Sequence, residues 1–243
     1  MKILLCNDDG YQSLGLDYLR RKLSPEHDVY VSAPKTEMSG VSSSITLRSE
    51  IDIERIDERV QAVGGTPIDS AKLGLLAYLD EGIDLVLSGI NLGTNLGTDT
   101  LYSGTVAAAL DASLMGYKSA ALSTHYKFDE GDPSEEFNAY FKKAIEIIMA
   151  TDLPEGTILN INIPPKDIKG IKIAPLAILK YNANYTKNDE TKDRYQLVGG
   201  RDMTFNIHNE VDERYYNEGY MTVTAVHYDM TNYNILQELK KYE

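Results

Sequence analysis

Short apolar runs alternate with segments of helical period over the first two thirds of the chain. The runs at 3–6, 29–33, 85–87, 120–122 and 158–163 predict strands, and apolar spacing across 14–23, 68–79, 105–114 and 137–149 predicts helices between them. Such alternation predicts an α/β fold, a Rossmann-like, mostly parallel sheet with helices on both faces. From about residue 164 the character changes. Tyr and Asn concentrate over 181–195, Gly199-Gly200 interrupts, and alternating runs follow at 203–207 and 220–226. This predicts a single domain over 1–243, with a core at 1–164 and an antiparallel excursion and C-terminal tail at 165–243.

Composition adds limits rather than detail. The 243 residues are 42% hydrophobic and 25% charged, ordinary for one globular unit, with no internal repeat or low-complexity tract. A formal net charge of −13 argues against long nucleic acid as a partner, because most of the surface repels a polyanion. A small phosphate ester is still compatible, since a helix N-terminus or a bound cation supplies positive charge locally. The one cysteine, Cys6, cannot form an internal disulfide and lies in an apolar run. The first strand is cut short by Asn7-Asp8-Asp9, too early for a signal peptide or membrane span, so a cytoplasmic protein with no membrane partner is expected.

In an open parallel sheet, ligands bind beyond the carboxyl ends of the strands. Four polar groups fall there: Asn7-Asp8-Asp9-Gly10, Ser39-Gly40, Ser88-Gly89-Ile90-Asn91, and Ser103-Gly104-Thr105. Asp-Asp-Gly on its own reads more readily as turn chemistry than as a site. Two like charges in a crevice repel, however, and a divalent cation relieves that repulsion while accepting carboxylate oxygen as ligand. The Ser39 hydroxyl and the Asn91 amide oxygen are neutral hard donors suited to Mg²⁺ or Mn²⁺. Two carboxylates balance one divalent ion, which leaves room for a phosphate dianion.

The run at 88–97 has glycines that let the backbone approach a ligand, but it lacks both the dinucleotide fingerprint and the P-loop pattern. Ser103-Gly104-Thr105 opens an Ala-rich helix with two hydroxyls and free N–H groups, a credible phosphate cradle or an ordinary N-cap. His27, His125, His208 and His227 have no zinc-site spacing, and only His125, after a strand, is a weak crevice candidate. The tyrosines of 181–195 suit a subunit interface somewhat better than base stacking.

Taken together these motifs resemble the SurE family of nucleotidases, the stationary-phase survival proteins. The resemblance is carried by Asn7-Asp8-Asp9-Gly10, Ala33-Pro34 with Ser39-Gly40, Ser44-Ile45-Thr46, Gly65-Thr66-Pro67 with Asp69, Ser88-Gly89-Ile90-Asn91 with Gly93, Asn95 and Gly97, and Tyr102-Ser103-Gly104-Thr105-Val106. It implies one Mg²⁺ or Mn²⁺ per subunit and hydrolysis of nucleoside 5′- and 3′-monophosphates. By position it implies Asp8, Asp9, Ser39 and Asn91 as metal ligands, Asn95, Ser103, Gly104 and Thr105 as phosphate neighbours, and a homodimer or homotetramer built through the C-terminal tail. Leu159-Asn160-Ile161-Asn162-Ile163-Pro164 and Glu218-Gly219-Tyr220 fit less densely, while Lys35, where an acidic residue is usual, and the Tyr-rich insert depart from the pattern.

The expected chemistry is attack of a water on phosphorus, with Asp8 or Asp9 as the base. Two alternatives stand beside it. A non-catalytic nucleotide-binding or sensing module would use the same cradle without turnover. A phosphatase forming an aspartyl-phosphate would place an Asp as nucleophile, but that class carries two Asp one residue apart, and here they are adjacent.

Overall fold

The structure, a computed structural model, describes residues 1–181, 184–187, 193–198, 201–204 and 210–243. In chain order the elements are β1 (Lys2–Cys6), α1 (Leu14–Leu23), β2 (Asp28–Pro34), β3 (Ile53–Asp57), β4 (Val60–Val63), α2 (Pro67–Ala77), β5 (Leu85–Leu92), α3 (Gly104–Leu114), β6 (Ser119–Thr124), α4 (Glu135–Ala150) and β7 (Thr157–Ile163). They continue with β8 (Gly170–Ile173), β9 (Leu179–Tyr181), β10 (Asn184–Lys187), β11 (Tyr195–Val198), β12 (Arg201–Thr204), α5 (Asp212–Asn217), β13 (Tyr220–His227) and α6 (Tyr233–Leu239).

A nine-stranded sheet runs β3-β4-β2-β1-β5-β6-β7-β13-β8. The six strands from β4 to β7 are mutually parallel, while β3 pairs antiparallel with β4 and β13 antiparallel with β7. Alternate residues of β1 face opposite layers. Ile3 and Leu5 join the core under α1 and α4, and Leu4 and Cys6 join the core under α2 and α3. All four are fully buried, which is why this strand reads as an unbroken apolar run. Side chains cap the helices: Ser13 accepts from Leu16 N–H at the start of α1, and Thr66 with Asp69 forms a capping box on α2. Each such cap stabilises its helix by about 1 kcal/mol.

The predicted α/β sheet is present, with two differences. A hairpin, β3 and β4, extends one edge; all five β3 residues are exposed, so the segment carries no core-facing pattern to read. At the other edge the sheet does not stop near residue 164. β13 lies along β7 and β8 along β13, so part of the 165–243 excursion completes the main sheet. The remainder forms two small antiparallel pairs, β9 with β12 and β10 with β11. Of the features expected in that region, Gly199-Gly200, residues 205–207, His208 and part of the tyrosine-rich run (182–183 and 188–192) lie outside the described residues. Tyr185 and Tyr195 are exposed. No helix among the described residues is long and apolar enough to cross a membrane.

Candidate active site

Chain direction fixes where a site forms. From β1 the chain crosses to β2 through α1 on one face, and from β5 to β6 through α3 on the other, so β1 and β5 are neighbours whose connections diverge. The crevice at their carboxyl ends is the topological switch point. Asp8 and Asp9 follow β1 there, and Asn91 lies in the last turn of β5, where the pairing with β6 slips between Ser88 and Asn91.

The turn after β1 is built by Asn7. Its buried amide donates to Gly10 O (3.0 Å) and Ser13 Oγ (2.7 Å) and accepts from Gly10 N–H (3.2 Å), so the aspartates sit on a fixed loop joined to the cap of α1. The loop after β2 is brought alongside by Met38 N–H donating to Asp8 O (2.7 Å) and Tyr11 N–H to Pro34 O (2.9 Å). These bonds bring Ser39 next to the pair. Asp8, Ser39, Asn91, Asn95 and Ser103 line one pocket of about 250 Å³, and Asp9 lines an adjoining cleft that also has Ser39 on its wall.

Asp8 is buried, and its Oδ1 accepts from the Thr105 hydroxyl. Burial raises its pKa, against the pull of Thr105 and of the backbone N–H groups of Gly104 and Thr105. Burial also lifts Asp9, to about 6, with help from the charges of Asp8 and Glu37 and against the Leu92 N–H that donates to Asp9 Oδ2 (3.2 Å). Neither carboxylate has an ion pair with Lys or Arg among the described residues. Ser39 Oγ donates to Glu37 Oε1 (2.7 Å) and keeps its lone pairs. Asn91 Nδ2 donates to Gly93 O (2.7 Å), which leaves its oxygen as the donor end for a cation. Among the described residues no group of three or more His, Cys, Asp or Glu could hold a metal, so neutral oxygens must complete any set around Asp8 and Asp9.

The helix start predicted as a phosphate cradle, Ser103, Gly104 and Thr105, lies against Asp8. Thr105 is fully buried, and a Cβ on Gly104 would lie 2.9 Å from Asp8 Cβ. The dipole of α3 favours the Asp8 carboxylate held there. Ser103 caps Val106 N–H (3.1 Å) and still lines the pocket. His125 is exposed, packs edge-to-face on Tyr216 with ring centroids 5.9 Å apart, and lines the adjoining cleft rather than the Asp8 pocket.

Further residues organise the site from a distance. Asn95 N–H donates to Asn162 Oδ1 (2.8 Å), its carbonyl accepts from Asn160 (2.7 Å) and Asn162 (3.1 Å), and its side chain donates to Ser123 (2.8 Å). Two buried asparagines of β7 therefore lock the residue that lines the pocket. Asp212, fully buried at the start of α5, accepts from Gly97, Ala177 and Glu213 N–H groups, each at 2.8 Å. Asp212→Ala would strand three N–H donors, and a loss of about 2–4 kcal/mol is expected as a lower urea midpoint. An unchanged midpoint would show that water replaces the carboxylate.

The family model for survival protein SurE matches residues 3–183. The chain belongs to the SurE family. Relatives named 5′-nucleotidase SurE agree with it over its whole length: that of Thermoanaerobacter sp. (strain X514) is 37% identical over 250 residues, covering 100% of this chain and 98% of the relative. That of Clostridium beijerinckii is 38% identical over 255 residues, covering 99% and 98%. The crystal structure of the SurE protein from Aquifex aeolicus superposes with a TM-score of 0.83 at 34% identity, covering 100% of this chain and 99% of the other. The SurE family match thus spans the β1–β5 crevice and every residue of the pocket.

Proposed function

We propose that this chain is a divalent-metal-dependent 5′-nucleotidase that hydrolyses nucleoside 5′- and 3′-monophosphates to nucleoside and phosphate in the cytoplasm. The observation that carries the reading is the convergence of Asp8, Ser39, Asn91, Asn95 and Ser103 on one small polar pocket, with Asp9 beside it. The relatives named 5′-nucleotidase support the reaction class.

Asp8, Asp9, Ser39 and Asn91 would hold one Mg²⁺ or Mn²⁺ per subunit. The set fits a hard cation, being all oxygen, with a buried and a half-buried carboxylate, the charge of Asp8 raising the pKa of Asp9, and neither with a described cationic partner. When bound, such an ion supplies Lewis-acid charge at the phosphoryl group. Asn95, Ser103, Gly104 and Thr105 orient the non-bridging oxygens. Thr105 and the start of α3 also act through Asp8 by fixing its carboxylate. Asp9, whose Oδ1 is not bonded to Leu92, or Asp8 takes the proton of the attacking water.

Helix α6 has no buried residue although it carries Tyr233, Ile235, Leu236 and Leu239, which favours a tail that packs on a second copy in a homodimer or homotetramer. The decisive experiment is phosphate release from a panel of nucleoside monophosphates with EDTA, Mg²⁺ or Mn²⁺. Turnover that needs the metal is expected, and failure with every nucleotide and metal would favour a binding module. In the same assay Ser39→Ala and Asn91→Ala should shift the metal titration to higher concentration by about tenfold or more, as loss of one ligand weakens a site. A variant with an unshifted titration leaves the ligand set.

A further inference from the structure

Ser39 stands on a long irregular segment, residues 35–52, that joins β2 to β3. No residue from 35 to 59 is buried, and Ile45 and Leu47 are 43% and 79% exposed, so apolar burial does not hold this loop in place. Its position is imposed by hydrogen bonds. Met38 N–H ties the near end to Asp8, and from Ser39 to Ile51 the loop is bonded to the rest of the described chain at two residues, Ser42 and Thr46. Ser42 donates its N–H to Tyr102 O (3.1 Å) and its hydroxyl to Leu101 O, and it holds a left-handed φ of 54° that a serine keeps only where its surroundings require it.

The tie at Thr46 differs in kind. Its N–H donates to both carboxylate oxygens of Asp69 (3.2 Å each), and its hydroxyl donates to Oδ2 (2.6 Å). Asp69 is buried in the first turn of α2, where it also closes the capping box by accepting from Thr66 N–H (2.9 Å). Burial by itself would raise the pKa of this carboxyl, yet the Thr46 hydroxyl and the N–H groups of Thr66 and Thr46 carry it below the ordinary value, so it is ionised at neutral pH. Hydrogen bonds to an ionised acceptor are roughly twice as strong as neutral ones, which makes this the firmest tie between Ser39 and Ile51. The post it grips is built into the site. Pro67, two residues before Asp69, packs on the start of α3, where a Cβ on Gly104 would lie 2.9 Å from Pro67 Cγ and 2.9 Å from Asp8 Cβ.

We infer that Asp69 is a positioning residue for the reaction: through Thr46 it holds the Ser39 loop against the Asp8 pocket, so that the Ser39 hydroxyl is in place before the cation arrives. It acts through the loop and touches neither substrate nor cation. The inference rests on the nucleotidase reading with Ser39 as a ligand. It makes loop placement and cation binding linked equilibria, since a site whose competent form is only partly populated binds more weakly by that fraction.

The loop side carries the test, because Asp69→Asn would also break the capping box of α2. Wild type, Thr46→Val and Thr46→Ser are compared as full chains, by Mn²⁺ titration of phosphate release from AMP and by trypsin cleavage after the exposed Arg48, with and without Mn²⁺. Valine keeps the shape of threonine and removes the hydroxyl donor, whereas serine keeps the donor. Thr46→Val should need about fivefold more Mn²⁺ for half-maximal rate, with kcat at saturating Mn²⁺ within about twofold of wild type, and without metal it should be cut about fivefold faster. Mn²⁺ should slow that cleavage, and Thr46→Ser should return both quantities to within about twofold of wild type. A merely structural bond would lower the urea midpoint and leave the Mn²⁺ requirement where it was, and that result overturns the positioning role. So does faster cleavage with an unshifted titration, or a Thr46→Ser variant that behaves as Thr46→Val does. Wild-type turnover separates the two failures: if no metal supports phosphate release from AMP, the nucleotidase reading falls and the positioning role with it, whereas with turnover intact only the Asp69 tie is at fault.

Discussion

Asp8→Asn and Asp9→Asn are each expected to lower phosphate release from AMP or GMP by about 1,000-fold or more at saturating Mn²⁺, a loss of roughly 4 kcal/mol in transition-state stabilisation. Asparagine keeps the shape and the acceptor that Thr105 uses on Asp8, but removes the charge on which cation binding and proton transfer depend. Folding should survive, and the pKa direction says why. Asp9 titrates near 6 in the folded protein against an ordinary 3.8, so its contribution to stability is present below about 3.8 and lost as pH rises through 6. Above that window, in EDTA, the ionised pair weighs against the fold, and a neutral side chain relieves it. Urea midpoints at pH 8 in EDTA should therefore be no lower in Asp9→Asn than in wild type. Turnover close to wild type in either variant would sink the proposed mechanism, and a trapped phosphoenzyme that disappears in Asp8→Asn would revive the aspartyl-phosphate alternative.

How much of this could be read from sequence depended on whether the information was local. Five of the six parallel strands were legible because burial on both faces makes them largely apolar, as with Ile3 to Cys6 and Leu85 to Leu87, whereas β4, four residues with Gln61 among them, was not. β3 was not, since its residues are exposed, and neither was β8, whose short run joins the sheet only because β13 lies between it and β7. Asp8, Asp9 and Asn91 stood out by following strands. Asn160, Asn162 and Asp212 matter through partners 65, 67 and 115 residues away, and no spacing rule reaches that far. The helix start at Ser103 shows the limit well. Its electrostatics were legible, but that Asp8 packs against it is a matter of distance, set by how closely Gly104 lets the aspartate approach.

Close packing also sets the second large effect. Gly15→Ala should lower stability by about 3 kcal/mol and phosphate release by a factor of ten or more, by a route different from the aspartates. A Cβ at Gly15 would lie 2.1 Å from the carbonyl oxygen of Ile90 and 3.1 Å from its carbon. Both are backbone atoms, so no side-chain rotation relieves the overlap, and either α1 or the end of β5 has to move by about 1 Å to reach ordinary contact. Neither can move without consequence. Displacing Ile90 carries Asn91 and Leu92 with it, the amide oxygen proposed for the cation and the N–H that holds Asp9. Displacing α1 pulls Ser13 from Asn7, whose bonds shape the aspartate turn. Because the damage enters through geometry, excess Mn²⁺ should restore part of the lost activity in Gly15→Ala at a temperature where the variant is folded, whereas it restores none in Asp8→Asn. An unchanged urea midpoint would mean that the α1 and β5 backbones separate more easily than their packing indicates.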